Sequence, residues 1–266
     1  MRWTRFLYAN RTRVLFGSAK PDATQSQTLK DKVQEKIDQE AAAFAKVAPY
    51  PHRSLTRPVL GLTLDQIRGA LFTSNLNNLT RIAINLNCLS LSAPKIHWDA
   101  AVLIIRNNLE EKEFDVWVNP EVPGYNDRRS VAPMYGMWEN CISCGLSHAW
   151  VVRPQRITCK GFDVVGNEKE EVLDGMRARC LMHELDHLNG KTIFHQAMGP
   201  EFVVSGSALG QRDLWPPNFP SAEAYVTPTH VFFDYVTNTT VIPKGLEWWF
   251  DQQSYSQHFS NERLTG

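Results

Sequence analysis

The stretch Cys180-Leu181-Met182-His183-Glu184-Leu185-Asp186-His187-Leu188-Asn189-Gly190 holds the residue types that bind and use a divalent metal ion. His183 and His187 are four residues apart, about 40° around a helix with roughly 3.6 residues per turn, so both imidazoles can reach one ion. Glu184 stands between them. A carboxylate there can take a proton from a coordinated water, the arrangement that makes H-E-x-x-H a hydrolase signature. So short a pattern also arises on ordinary surface helices with solvated His and Glu. Against that reading, Asp186 within the motif and Leu181, Leu185 and Leu188 around it predict a half-buried helix, where polar side chains need partners. Gly190 is expected to stop the helix.

A catalytic site needs a third protein ligand and a position left for water. An extended zinc-protease pattern would place a histidine six residues beyond His187, but residue 193 is isoleucine and His195 comes two residues late. A distant glutamate (Glu201, Glu223 or Glu247) stays open, though none lies in a recognisable helical context. Cys141-Ile142-Ser143-Cys144 with both histidines would make a closed structural zinc site, yet thirty-eight residues lie between Cys144 and His183, far more than in a compact finger. Cys141 alone would give a Cys-His-His set with the fourth place free for water.

At this point the chain resembles the peptide deformylase family, which carries three motifs that occur here in order. Ser90-Leu91-Ser92-Ala93-Pro94-Lys95-Ile96 resembles the first, usually Gly-Leu-(Ala or Ser)-Ala-Pro-Gln and an aliphatic residue. Glu139-Asn140-Cys141-Ile142-Ser143 resembles the second, usually Glu-Gly-Cys, a variable residue and Ser, and His183 to Gly190 matches the third nearly throughout. Asn119-Pro120, Arg153-Pro154 and Ala178-Arg179 agree in the flanks, and the likeness spans roughly residues 55–197. The resemblance implies removal of the formyl group from N-formylmethionine at the start of new polypeptides, with release of formate and one divalent ion, Fe(II) or Zn(II), bound. It implies that Cys141, His183 and His187 hold the metal and that Glu184 is general base, then acid. The backbone N–H of Ile142 would polarise the formyl oxygen.

The sequence departs from the family pattern at several supports. Lys95 stands where the family's glutamine donates to the oxyanion; an ammonium there can stabilise that charge or pair with Glu184 and weaken the base. Cys88 and Ser90 replace glycines, adding side chains where a peptide would approach closely, and Met182 replaces a glutamine. Asn140 replaces a glycine, a milder change because Asn tolerates left-handed backbone. Two functions follow as alternatives. One is a deformylase acting on N-formylmethionyl peptides or nascent chains of a translating organelle, with the ribosome as a further partner. The other is a deformylase-like metal-binding protein with little turnover that acts by binding nascent chain, ribosome or another partner.

The elements that must position these residues are legible in part. Residues 1–21 carry Arg2, Arg5, Arg11, Arg13 and Lys20, no acid, and interleaved apolar residues, the character of a mitochondrial or other organellar transit peptide. Residues 20–28 read as a polar linker, so 1–28 is expected to be leader and linker, 29–197 the metallohydrolase domain and 198–266 a Pro-rich aromatic extension packed on it. Val33, Ile37, Ala41 and Phe44 predict a helix from Leu29 to Ala48, and Thr63 should cap a second one running through Ile67, Ala70 and Leu71 toward Leu79. Strands are expected over Cys88–Lys95, Ala100–Ile105, Phe114–Val118, Ile142–Val152, Arg156–Val165 and Glu168–Val172, with a loop over 121–138 and the metal helix from about Asp174. The tail should hold short strands and a helix after Gly245, with Trp215, Tyr225, Phe232, Phe233, Tyr235, Trp248, Trp249 and Phe250 as its packing residues. Glu139 and Arg153 are expected to form an ion pair, Cys144, Cys159 and Cys180 to be core residues, and His97, His148 and His195 to be packing or surface residues. The fold class is α+β: small antiparallel sheets packed around a central metal-binding helix.

Equal numbers of basic and acidic residues, 28 of each, give the chain no overall basic field for direct nucleic-acid binding. No apolar run approaches the length of a membrane span. Five scattered cysteines point to a reducing compartment rather than a disulfide framework.

Overall fold

The computed structural model describes residues 23–107, 113–125 and 133–244. The chain divides into two compact units, Met1–Lys46 and Val47–Gly266. In the first, helix α1 (Ala23–Phe44) begins inside the stretch expected to be a linker. No Gly or Pro follows Pro21 before Pro49, so nothing local stops that polar segment from being helical. Gln34–Asp38 and Glu35–Gln39 pairs one turn apart, 2.8 and 3.2 Å, support it.

In the second unit, Thr63 caps helix α2 (Leu64–Ile67) with a reciprocal capping box through Gln66. The single helix expected from Thr63 is interrupted at Arg68-Gly69, and α3 (Ala70–Asn85) starts afresh with Gly69 as its cap. Leu71 consequently falls on the exposed side, while Phe72, Leu79, Ile82 and Ala83 are buried.

Two antiparallel sheets follow. The first has the order β1-β2-β3-β6-β7, with β1 (Ser90–Ser92), β2 (Val102–Arg106), β3 (Phe114–Glu121), β6 (Arg156–Phe162) and β7 (Glu168–Asp174). The second has the order β10-β9-β4-β5-β8, with β4 (Met134–Asn140), β5 (Ser147–Pro154), β8 (Val203–Ser205), β9 (Phe232–Asp234) and β10 (Thr239–Val241).

Several expected boundaries move, each for a physical reason. The strand expected over Cys88–Lys95 shortens to β1, because Pro94 opens a 3-10 turn over Ala93–Ile96 that ends in left-handed His97. The loop expected over 121–138 gives way to β4 at Met134. Its Gly136, a strand breaker by sequence, is needed because an added Cβ would lie 2.3 Å from the buried Trp150 indole. Ile142–Cys144 is a 3-10 turn rather than the start of β5.

Helix α4 (Gly175–Leu188) carries the H-E-x-x-H motif between the sheets. Ala178, Leu181, Leu185 and Leu188 form its apolar face and pack with Leu103, Ile105, Trp117, Ile157 and Leu173 of the first sheet. Each buried leucine contributes roughly 1.5–3 kcal/mol of hydrophobic stabilisation. The tail is built into the second sheet: β8 pairs with β5 and β9 with β4. Its aromatics do pack there, Phe232 stacking on Tyr135 with ring centroids 4.5 Å apart and Trp215 edge-on to Trp138 at 6.0 Å. Trp248, Trp249, Phe250 and the helix expected after Gly245 lie outside the described residues, as does the expected leader through residue 22. Among the described residues no helix is long and apolar enough to cross a membrane.

Gly190, with φ +69°, follows α4, and a Cβ there would meet the Arg57 backbone at 2.6 Å. Gly190→Ala is expected to lower stability by about 1–3 kcal/mol, read from the denaturation midpoint. An unchanged midpoint would mean that the end of the helix is not pinned against Arg57.

Candidate metal centre

Cys141 ends the run of β4 in extended conformation and opens the turn Ile142–Cys144. Its sulfur lies 3.2 Å from Nε2 of His187. The ligand atoms of Cys141, His183 and His187 lie within 4.8 Å of one another, the one such group among the described residues. Cys144, His195, Glu201 and Glu223 are not in the group, and Glu247 lies outside the described residues. The protease arrangement with Glu201 or Glu223, and the closed two-cysteine zinc site, are therefore not assembled.

The donors are oriented from behind. His183 Nδ1 donates to Glu139 Oε2 at 3.0 Å, which makes Nε2 the nitrogen left for a metal ion. Glu139 is in turn held by Arg153 Nε and Nη2 at 2.7 and 2.9 Å and by Arg179 Nη1 at 2.5 Å. Arg153 spans on to Asp186 at 2.8 Å, and Asp186 also accepts from Tyr125 (2.5 Å) and Gln196 (2.7 Å). Glu139, Arg153, Arg179 and Asp186 are all buried. The Glu139–Arg153 pair was expected from sequence; Arg179, Tyr125 and Gln196 were not, because only the fold brings them to it.

Burial raises the Glu139 pKa, but Arg153 and then Arg179 outweigh it and hold the carboxyl well below its ordinary value. The Cys141 thiol is likewise held well below its usual range, first by a hydrogen bond from Cys144 and then, against burial, by Lys95 and His187. Burial lowers the His183 pKa, but hydrogen bonds to Cys141 and Glu139 reverse this and raise it to about 10. The cluster thus draws in a proton where a divalent ion would put its charge. His187 Nδ1 is buried without a hydrogen-bond partner among the described residues, and its Nε2 faces the Cys141 sulfur. A thiolate and two imidazoles disposed in this way fit a divalent ion.

Glu184 is fully engaged. Ser90 Oγ donates to Oε1 at 2.8 Å, Ser92 Oγ to Oε2 at 2.7 Å, and Lys95 Nζ lies 3.1 Å from Oε1. Lys95 is 2% exposed, and its carbonyl accepts the Ala48 N–H at 2.7 Å, which fixes the turn that carries it. Burial alone would raise the Glu184 pKa; Lys95, then His183 and His187, bring it below the ordinary value. Burial alone would lower that of Lys95, and Glu184 raises it instead. Both partners are therefore charged.

Ile142 heads its turn, where a backbone N–H has no partner within the turn. Asn140 pairs with His148 in the β4–β5 ladder and is not left-handed, so its tolerance of that conformation is not called upon. Met182, Cys159 and Cys180 are buried in the core. Burial pushes the Cys88 thiol up to about 11 and the Cys180 thiol to about 12. His97 lies edge-on to His52 at 4.6 Å, His148 is half-buried on β5, and His195 closes the capping box of Thr192.

Antiparallel sheets around a helix that presents a Cys-His-His group with an adjacent glutamate define a mixed α+β protein with a hydrolase-type metal motif. The family model for polypeptide deformylase matches residues 44–202, and the chain belongs to that family. A peptide deformylase of Prochlorococcus marinus is 34% identical over 104 residues, 38% of this chain and 49% of that one, so the match spans about half the relative's length. "Peptide deformylase 1B, chloroplastic/mitochondrial" of Arabidopsis thaliana is 28% identical over 191 residues, covering 70% of this chain and 66% of the relative. The crystal structure of a Legionella pneumophila peptide deformylase superimposes with a TM-score of 0.51 at 26% identity, over 58% of this chain and 86% of that one.

Glu139→Gln, which keeps the shape but loses the charge behind His183, is expected to weaken zinc binding about 10–100-fold in competition with a chelator. Equal affinities would show that Glu139 does not tune the site. The folded pKa of Glu139 lies below its ordinary 4.5. Its contribution to stability is therefore complete above that pH and is lost as the pH falls through the folded value, a loss the Gln variant should not show in acid unfolding.

Proposed function

We propose that the protein is a metal-dependent hydrolase that removes the N-formyl group from formylmethionine of nascent organellar polypeptides. The observation that carries this is the Cys141-His183-His187 group beside Glu184 in a chain of the deformylase family. Cys141, His183 and His187 would hold one divalent ion, Fe(II) or Zn(II). When bound, the ion supplies Lewis acidity that lets water act as a nucleophile near neutral pH.

The chain's own residues do the rest. Glu184, ionised and buried, accepts the proton of the attacking water and returns it to the departing amine. The Ile142 N–H, at the head of its turn, donates to the formyl oxygen as negative charge builds there. Lys95 is the nearest cation to this carboxylate, 3.1 Å away. Moving toward the formyl oxygen would add a second donor and release Glu184; staying in place would keep the base weak. An organellar setting has two supports: the acid-free basic first 21 residues and the chloroplastic/mitochondrial relative. The substrates are N-formylmethionyl nascent chains, with the ribosome as the partner that presents them.

The Lys95–Glu184 pair also favours a second reading, in which the fold and ion are kept and the protein acts by binding with little turnover. Formate release from formyl-Met-Ala-Ser by protein loaded with Fe(II) or Zn(II) separates the two. Release is expected, and Glu184→Gln should reduce kcat by about 100–10,000-fold. No release with either metal would leave the binding reading. Lys95→Gln, which frees the carboxylate, is expected to raise kcat/KM about tenfold, equivalent to roughly 1.4 kcal/mol of barrier. A fall of that size would instead make Lys95 the donor to the formyl oxygen.

A further inference from the structure

Cys144 lies outside the proposed ligand set yet touches it. It closes the turn that Cys141 opens, donating its N–H to the Cys141 carbonyl at 2.9 Å. The two cysteines share a buried apolar cluster with Ala149, Val151 and Ile193. Two intervening residues in a single turn is also the spacing of redox-active C-x-x-C dithiols. The mechanism proposed above uses Cys141 but gives Cys144 no task.

We infer that Cys141 and Cys144 form a reversible disulfide when the metal site is empty and a peroxide enters, so that the centre is switched off by oxidation and its sulfur ligand is spared irreversible damage. The inference rests on the metal-centre reading. The His183 side chain is 11% exposed and Cys144 8%, so the cluster reaches solvent at these edges, the side from which a peroxide would arrive. The Cys141 sulfur attacks one peroxide oxygen, the O–O bond breaks, and the departing hydroxide takes the Cys141 thiol proton to become water, leaving a sulfenic acid on Cys141. The neighbouring Cys144 sulfur then attacks the Cys141 sulfur. The S–S bond forms, the S–O bond breaks, and the oxygen departs as water with the Cys144 proton. In total two thiols lose two electrons and two protons, and hydrogen peroxide becomes two waters. The disulfide leaves His183 and His187 alone, one ligand short of a catalytic set. A dithiol reductant restores both thiols.

Hydrogen peroxide treatment of the full chain, first stripped of metal with a chelator, tests this. After alkylation and digestion, the peptide holding Cys141 and Cys144 should be lighter by two hydrogens and unalkylated at both, and dithiothreitol should reverse it. Zinc uptake, read with a chromogenic chelator, should then return to its starting value. In Cys144→Ser the same exposure should carry Cys141 to sulfinic or sulfonic acid, and zinc recovered after dithiothreitol should fall at least about fivefold below wild type. Cys144→Val, which keeps the apolar packing, should behave alike. Free thiols at both positions in the treated wild type, or overoxidation of Cys141 as fast as in the variants, would overturn the switch. Failure of the untreated protein to take up zinc would refute the metal centre and the switch with it; normal uptake without the disulfide refutes the switch alone.

Discussion

Glu139 is the group on which the site depends. Its carboxylate joins β4 to helix α4 by binding Arg153, Arg179 and His183 together, in a region from which water is excluded. A buried carboxylate with no partner would cost several kcal/mol, and so would either guanidinium left alone. Such a cluster is therefore stable only when all its members meet, which makes it a specifier of geometry more than a source of net stability. Asp186 extends the cluster through Arg153 to Tyr125 and Gln196. The polar face of α4 is thereby fixed in rotation, and the two histidines face Cys141.

The other side of α4 achieves the same end by hydrophobic burial. Leu181, Leu185 and Leu188 press on the first sheet, and Gly190 lets the chain leave the helix against the Arg57 backbone. Burial sets the helix at the right depth, and the charged cluster sets its angle. The tail adds β8 and β9 to the second sheet, supporting β4 and β5 from both sides, so the strand that ends at Cys141 is an interior one.

For the proposed hydrolysis, the ion pair at Glu184 acts in two opposed ways. A base must be ionised to accept a proton, and Lys95 ensures that it is. The same pair stabilises the charged form and makes the proton less welcome. Ser90 and Ser92 saturate the remaining acceptor sites on the carboxylate. An ammonium is tolerated beside the Cys-His-His cluster because its charge is matched locally by Glu184.

The H-E-x-x-H helix, its stop at Gly190 and the Glu139–Arg153 pair were legible in the sequence, because helix periodicity, glycine conformation and short motifs act over a few residues. The cap at Thr63 was legible for the same reason, but the break at Gly69 was not, since apolar spacing alone favoured one helix. Strand β4 stayed hidden because Gly136 looks like a breaker until Trp150 fills the space above it. Lys95 could be seen as a replacement; which of two partners it chose could not. That choice came from Ser90, Ser92 and Lys95 converging on one carboxylate from about ninety residues away in the chain, a contact that costs chain entropy to make and that only a packed core can hold in place.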